Sequence, residues 1–211
     1  MSRLIAGSHG GRRLAVPAGD RTRPTTDRVR EALFSALAAW AGQAAAPAGA
    51  ALSGLAFADL YAGSGAVGLE AASRGAGPVL LVESVARTAE VTRRNAAGLG
   101  LPVDVRVAKV ETLVRLPPAQ PYDIVFADPP YALASPALDD VVASLLAQGW
   151  LAADALVVLE RSRRTPGPRW PAAFVDTWSK TYGETVLHFG QAGSVPPAPV
   201  TAGGVEQEGA P

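Results

Sequence analysis

Short apolar runs alternate with amphipathic segments over most of the chain. Runs of Val, Leu, Ile, Phe and Ala that are too short for helices predict strands over residues 55–60, 79–83, 103–107, 124–127 and 155–160. The segments between them carry apolar residues at helical spacing and predict helices over residues 67–74, 85–99, 111–116 and 137–148. Because alternating strands and helices build parallel sheets, the pattern predicts an α/β domain with helices on both faces of its sheet.

The N-terminal part of the chain follows a different pattern. Two β-prone runs, residues 3–6 and 12–16, are joined by a glycine-containing turn and predict a β-hairpin. Thr25 or Thr26 is placed to cap a helix over residues 27–40, because a threonine oxygen can accept from the first unpaired N–H groups. This end of the chain is therefore predicted to be a small hairpin followed by one amphipathic helix.

The remaining segments set the predicted domain boundaries. Residues 41–53 are small and apolar with Gly and Pro interruptions, which is typical of a linker. Residues 177–182 and 185–189 are β-prone and predict a final hairpin, and the chain beyond it has no period and reads as a disordered tail. We predict an N-terminal extension over residues 1–41 that packs on a main domain. The main domain is predicted over residues 52–190 and the tail over residues 191–211.

Three glycines, Gly63, Gly65 and Gly68, have the spacing G-x-G-x-x-G between a predicted strand and a predicted helix. Glycine tolerates positive φ and lacks a Cβ, so a ligand can approach the backbone where a helix presents unpaired N–H groups. The turn is therefore predicted to hold a nucleotide-like cofactor. Asp59 lies inside the end of the preceding strand, four residues before Gly63. Glu83 follows about 20 residues after the first glycine, a spacing that also fits a dinucleotide site.

A second motif, Asp128-Pro129-Pro130-Tyr131, directly follows a predicted strand. It begins at the carboxyl end of that strand, where parallel sheets bind ligands, and its two prolines stiffen the loop. The Asp128 carboxylate and the Pro129 carbonyl can each accept one N–H of an amino group on an aromatic ring, while Tyr131 stacks on the ring. This loop is therefore predicted to select an exocyclic amine.

The composition narrows the chemistry. The 211 residues include no cysteine and two histidines, which excludes disulfides, a cysteine zinc site and a thiolate nucleophile and leaves no metal site expected. No apolar run is long enough to span a membrane, and no apolar segment of a secretory signal follows the first arginines. We therefore expect a cytoplasmic protein whose chemistry uses carboxylates, hydroxyls and backbone groups.

Positive charge is concentrated at the N-terminal end of a chain whose formal net charge is zero. The first 30 residues contain seven arginines and two aspartates, which indicates a docking surface for a polyanion such as RNA. An alternative interpretation is a hairpin whose arginines are only solvated. The candidate phosphate contacts are Arg12, Arg13, Arg23, Arg28 and Arg30.

The two motifs together, D-x-x-x-G-x-G and D-P-P-Y, resemble those of Rossmann-like class I methyltransferases that depend on S-adenosylmethionine (SAM). The segment R-P-T-T-D-R-V-R-E-A-L-F before them narrows the resemblance to bacterial 16S ribosomal RNA guanine-N2 methyltransferases of the RsmD type, over about residues 3–189. The resemblance implies a seven-stranded, mostly parallel sheet that ends in an antiparallel C-terminal hairpin, with its last strand inserted antiparallel.

The same resemblance implies an activity and a set of site residues. The activity is transfer of a methyl group from SAM to the N2 amine of a guanine in 16S ribosomal RNA, by a monomer that recognises either naked RNA or an assembled or assembling 30S subunit. The resemblance implies that the D-P-P-Y loop carries the catalytic residues and that Glu83 binds the ribose hydroxyls of SAM. The implied cofactor contacts are Asp59, Tyr61, Gly63, Ser64, Gly65, Gly68 and Glu83.

Other functions stay open at this point. Similar loops serve methylation of adenine N6 in DNA or RNA and of a glutamine amide, and the glycine turn alone fits an NAD-binding oxidoreductase. A non-catalytic RNA-binding protein of the same fold is a further alternative. The chain also departs from related enzymes in having Ala108-Lys109-Val110 where a polar or acidic residue often lies near the adenine, so no adenine contact is assigned.

Overall fold

The computed structural model describes residues 2–17 and 26–194. The strands are β1 Ser2–Arg3, β2 Arg13–Leu14, β3 Phe57–Leu60, β4 Val79–Glu83, β5 Val103–Val107, β6 Tyr122–Ala127, β7 Leu151–Ser162, β8 Phe174–Tyr182 and β9 Thr185–Ala192. The helices are α1 Asp27–Trp40, α2 Ala66–Ser73, α3 Ala86–Leu99, α4 Val110–Leu113 and α5 Ser135–Ala147, with a 3-10 turn over Ala48–Ala50. The predicted alternation of strands and helices is confirmed.

Seven strands form one sheet in the order β5-β4-β3-β6-β7-β9-β8. The first five of these are parallel, whereas β9 lies antiparallel between β7 and β8. The mostly parallel seven-stranded sheet and the antiparallel C-terminal hairpin are thus confirmed. The strand order reverses between β3 and β6, and such a reversal leaves a crevice at the carboxyl ends of the two strands.

The central strands are buried on both faces, which explains their continuous apolar sequences. All residues of β3 and β4 are buried. Phe57 faces the cluster that includes Phe34 of α1 and Leu69 of α2, whereas Leu60 faces the cluster that includes Val142 of α5. Alternate residues of one strand therefore anchor the helices on opposite sides of the sheet.

The N-terminal hairpin is shorter than predicted and belongs to the main core. Its two strands pair through only Ser2 with Leu14 and Arg3 with Arg13. Leu4 and Leu14 are buried in the same cluster as α1 and α2. Because this segment shares the apolar core, the hairpin is a built-in part of the fold, and its backbone groups are bonded to residues far along the chain.

Two boundary predictions differ from the structure. Residues 41–53 are packed only at their C-terminal end, where Ala51 and Leu52 are buried and the Leu52 N–H donates to the Arg74 carbonyl at 2.9 Å, whereas most of residues 42–49 are exposed. The end of the predicted linker therefore joins the core through Leu52, and for the exposed residues before it the linker stays a prediction. Strand β9 continues to Ala192, so the predicted tail begins within the sheet, and residues 195–211 lie outside the described part of the chain. Among the residues that the structure describes, no helix is long and apolar enough to cross a membrane.

Candidate cofactor and substrate site

The glycine turn and the D-P-P-Y loop leave the sheet side by side. Leu60, the last residue of β3, pairs with Ala127, the last residue of β6, and adjacent strands are about 4.8 Å apart. The two motifs, far apart in sequence, therefore meet at the crevice formed by the strand reversal. A surface cleft of about 410 Å³ beside α1 lies elsewhere and is lined by no residue of the two motifs.

The three glycines of the turn have different physical roles. A Cβ at Gly65 would lie 2.6 Å from the Thr92 side chain, and one at Gly68 would lie 2.7 Å from Leu81. A side chain at either position would force Thr92 or Leu81 to shift, because α2 packs closely against α3 and the sheet. Gly63 has a φ of 55°, and no heavy atom of the described residues lies within 4 Å of its Cβ position. Gly63 is thus the position where the backbone is open to a ligand.

Two polar residues of α3 hold the glycine turn in place. The Thr92 hydroxyl donates to the Gly63 carbonyl at 2.8 Å, and the Asn95 amide donates to the Ser64 carbonyl at 3.1 Å. The same Asn95 side chain accepts from Ala15 N–H at 2.9 Å and donates to its carbonyl at 3.0 Å. The sequence analysis missed both residues, although polar residues on the otherwise apolar face of a predicted helix were a usable signal.

The Glu83 carboxylate is fixed at the end of β4 by backbone donors. Its two oxygens accept from Gly63 N–H at 3.0 Å and from Val85 N–H at 2.7 Å, and the side chain is 9% exposed. Each carboxylate oxygen has further lone pairs, so these bonds orient the group and leave it able to accept hydroxyl donors. The structure therefore places Glu83 beside Gly63, the glycine of the turn whose Cβ position is open.

The Asp59 carboxyl supports the start of α2 from inside the protein. Its side chain is buried and accepts from the Gly68 N–H at 2.8 Å, which satisfies one of the unpaired donors of the helix. Burial raises the pKa of Asp59 from 3.8 to about 7; the Gly68 bond acts in the opposite direction, and the nearby Glu83 charge adds to the increase. Asp59 is thus a group that orders the turn, and direct contact with the cofactor stays a prediction.

We expect the Asp59→Asn variant to lose a pH dependence that the wild type shows. The folded pKa of Asp59 lies above the unfolded value, so its contribution to stability is complete below about pH 4 and disappears as pH rises to about 7. Asparagine keeps an acceptor for Gly68 and does not ionise. Urea unfolding at several pH values between 4 and 8 measures the difference between the proteins, and a constant difference over that range would contradict the assignment.

Tyr61, which follows β3, holds an unusual backbone conformation for a bulky residue. Its φ is 67°, and its hydroxyl donates to Glu111 of α4 at 2.8 Å. Burial raises the pKa of Tyr61, and the Glu111 bond and charge raise it further. The Tyr61 hydroxyl is therefore bonded to α4, and the cofactor contact of Tyr61 stays a prediction.

The D-P-P-Y loop is anchored at one end and open at the other. Pro129 is buried, whereas Tyr131 is 76% exposed. Leu133 N–H closes a turn onto the Pro130 carbonyl at 2.9 Å, and the buried Arg161 guanidinium of β7 donates to the Leu133 carbonyl at 3.1 Å. Arg161 was missed by the sequence analysis, although an arginine at the end of an apolar strand was the available signal. Its bond holds the loop against the sheet edge.

The candidate RNA-binding arginines separate into three groups. Arg12, Arg13 and Arg28 are exposed, and Arg23 lies outside the described residues. Arg30 is 1% exposed and donates to the Arg3 carbonyl and to the Asp27 carboxylate, both at 2.7 Å. The prediction that Arg30 contacts RNA is wrong, because its side chain joins α1 to the hairpin.

The chain is similar to known proteins over most of its length. The family model described as Conserved hypothetical protein 95 matches residues 2–191. The ribosomal RNA small subunit methyltransferase D of Escherichia coli strain K12 is 36% identical over 171 residues, which cover 81% of this chain and 79% of that protein. The solved structure of the Escherichia coli yhhF protein has a TM-score of 0.78 at 30% identity, covering 92% of this chain and 99% of that one.

A more distant solved structure shares the fold alone. It is the Thermus thermophilus 16S rRNA N2 methyltransferase RsmC, in complex with AdoMet and guanosine. Its TM-score is 0.60 at 18% identity, and the match covers 82% of this chain and 45% of that one. The sheet and its helices therefore have the same fold as those of that protein.

Proposed function

This chain belongs to the family of ribosomal RNA small subunit methyltransferase D, and we propose that it transfers a methyl group from SAM to the N2 amine of a guanine in 16S ribosomal RNA. The observation that supports the proposal most is the meeting of the glycine turn and the Asp128 loop at the ends of β3 and β6. A cofactor and an amine held by these two motifs would lie at one crevice. Membership of the family favours methyl transfer over hydride transfer at the glycine turn.

The residues of the turn fit SAM. Gly63 leaves its backbone open to the methionine end, and the Glu83 carboxylate, oriented by Gly63 and Val85, suits the two ribose hydroxyls. Ser64, whose carbonyl is held by Asn95, completes the turn. When bound, SAM would supply an electrophilic methyl group on a sulfonium. Transfer of that group to an amine depends chiefly on how the protein aligns the amine with the methyl group.

The Asp128 loop carries the chemistry on the substrate side. Asp128 and the Pro129 carbonyl accept the two N–H groups of the guanine amine, and the exposed Tyr131 stacks on the base. As the amine nitrogen gains positive charge, the Asp128 carboxylate stabilises that charge and takes up the released proton directly or through water. The chain alone thus supplies orientation, charge stabilisation and proton transfer.

RNA is held apart from the reacting atoms. The exposed Arg12, Arg13 and Arg28 face solvent on the N-terminal part of the fold, where their guanidinium groups suit phosphates. A base that reaches the Asp128 loop must leave its stack, so phosphate contacts on either side of it hold the RNA during that step. The proposal includes a monomer acting in the cytoplasm, where its RNA substrate is found.

The proposal is tested by mapping methylated nucleotides in 16S ribosomal RNA from cells with and without the gene, followed by reconstitution. Purified protein and SAM are incubated with naked 16S RNA and with 30S subunits. We expect one guanine to lose its N2 methyl group without the gene and to regain it in one of the two reactions. Loss of a methyl group from adenine N6 instead, or no change in the RNA, would overturn the proposed reaction.

We expect the Glu83→Ala variant to bind SAM more weakly by about 1.5–3 kcal/mol, roughly 10- to 150-fold, because charge-assisted hydrogen bonds to the ribose are lost. Calorimetric titration with SAM measures the change. Glu90→Ala is the matched control, since Glu90 is an exposed carboxylate on α3 whose pair with Arg93 is 3.7 Å long. Wild-type affinity in Glu83→Ala would show that the ribose contacts lie elsewhere.

A further inference from the structure

We propose that Arg163 and Arg164 form a second phosphate-binding patch, which holds the RNA on the opposite side of the Asp128 loop from the N-terminal arginines. The inference rests on the proposed function, because it assumes an RNA substrate. These two arginines lie in the turn that follows β7, far in sequence from the basic N-terminal segment. We call them the β7 patch.

The β7 patch lies at the edge of the sheet that carries the candidate site. Ala127 of β6 pairs with Leu159 of β7, so the residues that follow them, Asp128 and Glu160, lie at the same level of the sheet. Arg163 follows Glu160 by three residues, which spans at most about 10 Å of extended chain. The patch therefore lies close enough to the Asp128 loop to meet phosphates that flank a bound nucleotide.

The backbone of the patch is fixed on both sides. Ser162 pairs with Thr185 of β9, and Arg163 N–H donates to the Glu184 carbonyl at 2.8 Å. On the other side, Arg161 donates to the Leu133 carbonyl behind the D-P-P-Y loop at 3.1 Å. The backbone that carries the two arginines thus belongs to the same strand end that holds the loop.

The side chains of the patch stay available to a polyanion. Those of Arg163 and Arg164 are 63% and 85% exposed, and both face the single carboxylate of Glu184, at 3.8 Å and 3.4 Å. Exposed ion pairs of this length contribute about 0–1 kcal/mol, so a phosphate can replace Glu184 at little cost. Two guanidinium groups share one carboxylate, and the patch keeps an excess of positive charge.

The two basic surfaces bracket the candidate site. The N-terminal segment is tied to the β3 side, since Ala15 pairs with Asn95, which also holds Ser64 of the glycine turn. The β7 patch lies beyond β6 on the other side. An RNA strand that crosses the sheet edge between these surfaces passes the Asp128 loop, which favours contacts to phosphates on both sides of the target nucleotide.

The test compares the Arg163→Ala/Arg164→Ala double variant with wild type for binding and methylation of 16S RNA and 30S subunits at several salt concentrations. We expect the slope of log affinity against log salt to fall by about 0.7–0.9 for each lost phosphate contact, and the affinity at about 0.15 M salt to fall roughly 4- to 6-fold per contact. SAM affinity and turnover at saturating RNA should match wild type.

Two further variants separate charge from structure. The Arg163→Lys/Arg164→Lys variant keeps the charge and should retain most of the salt slope. Arg115→Ala removes an exposed arginine at the opposite edge of the sheet. Its neighbour Leu116 lies there because the Leu116 carbonyl accepts from the Trp150 indole, just before the first residue of β7. This control should leave RNA binding unchanged.

The outcomes distinguish the patch from the proposed function. If wild type methylates the RNA and the double variant has the same salt slope as wild type, the β7 patch alone is overturned. The patch would also be overturned if the lysine variant lost as much slope as the alanine variant, because the effect would then be structural. Failure of the wild type to methylate either RNA substrate would overturn the proposed function and the patch with it.

Discussion

The Asp128→Ala variant is expected to bind SAM normally and to lose about 10²- to 10³-fold in turnover, the usual cost of removing one group directed at developing charge. Asp128 follows the last residue of β6 and meets the glycine turn only across the sheet edge, whereas the backbone donors of that turn are bonded to Glu83 and Asp59. We therefore propose that the Asp128 carboxylate meets the substrate amine and not the cofactor. The loss should appear in kcat and not in cofactor affinity.

Single-turnover methylation of RNA, together with calorimetric titration of SAM, measures the two effects separately. Asp128→Asn keeps one acceptor for an amine N–H and gives up the charge, so its rate should lie between those of wild type and the alanine variant. Asp140→Ala, an exposed carboxylate on α5, is the control. Wild-type turnover in Asp128→Ala would refute the proposed mechanism, and lost SAM binding would assign Asp128 to the cofactor site.

The Glu70→Ala variant is expected to lower the free energy of unfolding by about 3–5 kcal/mol, because removing one partner leaves a buried charge without its counterpart. Glu70 is fully buried in α2 and accepts from the Ile5 and Ala6 N–H groups at 2.6 and 2.9 Å and from Arg74 at 2.9 Å. The Arg74 guanidinium in turn lies 4.7 Å from the centre of the Phe34 ring. One carboxylate therefore joins the N-terminal segment, α2 and α1.

Urea unfolding without cofactor measures this loss. Glu70→Gln keeps acceptor oxygen for one or two of the donors and should lose less stability than the alanine variant. Glu90→Ala, whose carboxylate is exposed on α3, should change the free energy of unfolding by less than about 1 kcal/mol. A loss in Glu70→Ala no larger than that of the control would mean that the N-terminal segment is held by its apolar contacts alone.

The contacts of Glu70 with the N-terminal segment determine which variants can test the N-terminal arginines. Removal of residues 2–17 would expose the core around Leu4 and Leu14 and leave Glu70 and Asn95 without their backbone partners. The predicted RNA-docking hairpin is thus not separable from the methyltransferase fold by deletion. Point substitutions of the exposed Arg12 and Arg13 test RNA contact without this loss of packing.

The sequence by itself determined the elements and the chemistry that stands at their ends. The apolar runs identified the central strands, and Thr25 or Thr26 was expected to cap α1, where Thr26 is the cap, because hydrophobic period and capping depend on residues a few positions apart. The carboxyl groups of Asp59, Glu83 and Asp128 were expected at one edge because the ends of parallel strands meet there. In the structure Asp59 lies near the end of β3, Glu83 ends β4 and Asp128 follows β6, so all three residues lie at the carboxyl ends of neighbouring strands.

Only the tertiary structure decided which polar groups face each other across the fold. Arg30 was expected on the surface, yet it is buried because Arg3 and Asp27 surround its guanidinium. Asn95 and Arg161 hold the two loops of the site through partners 31 and 28 residues away in the sequence. Side-chain pattern along one helix or strand carries no information on such partners, since they are fixed only when the elements pack.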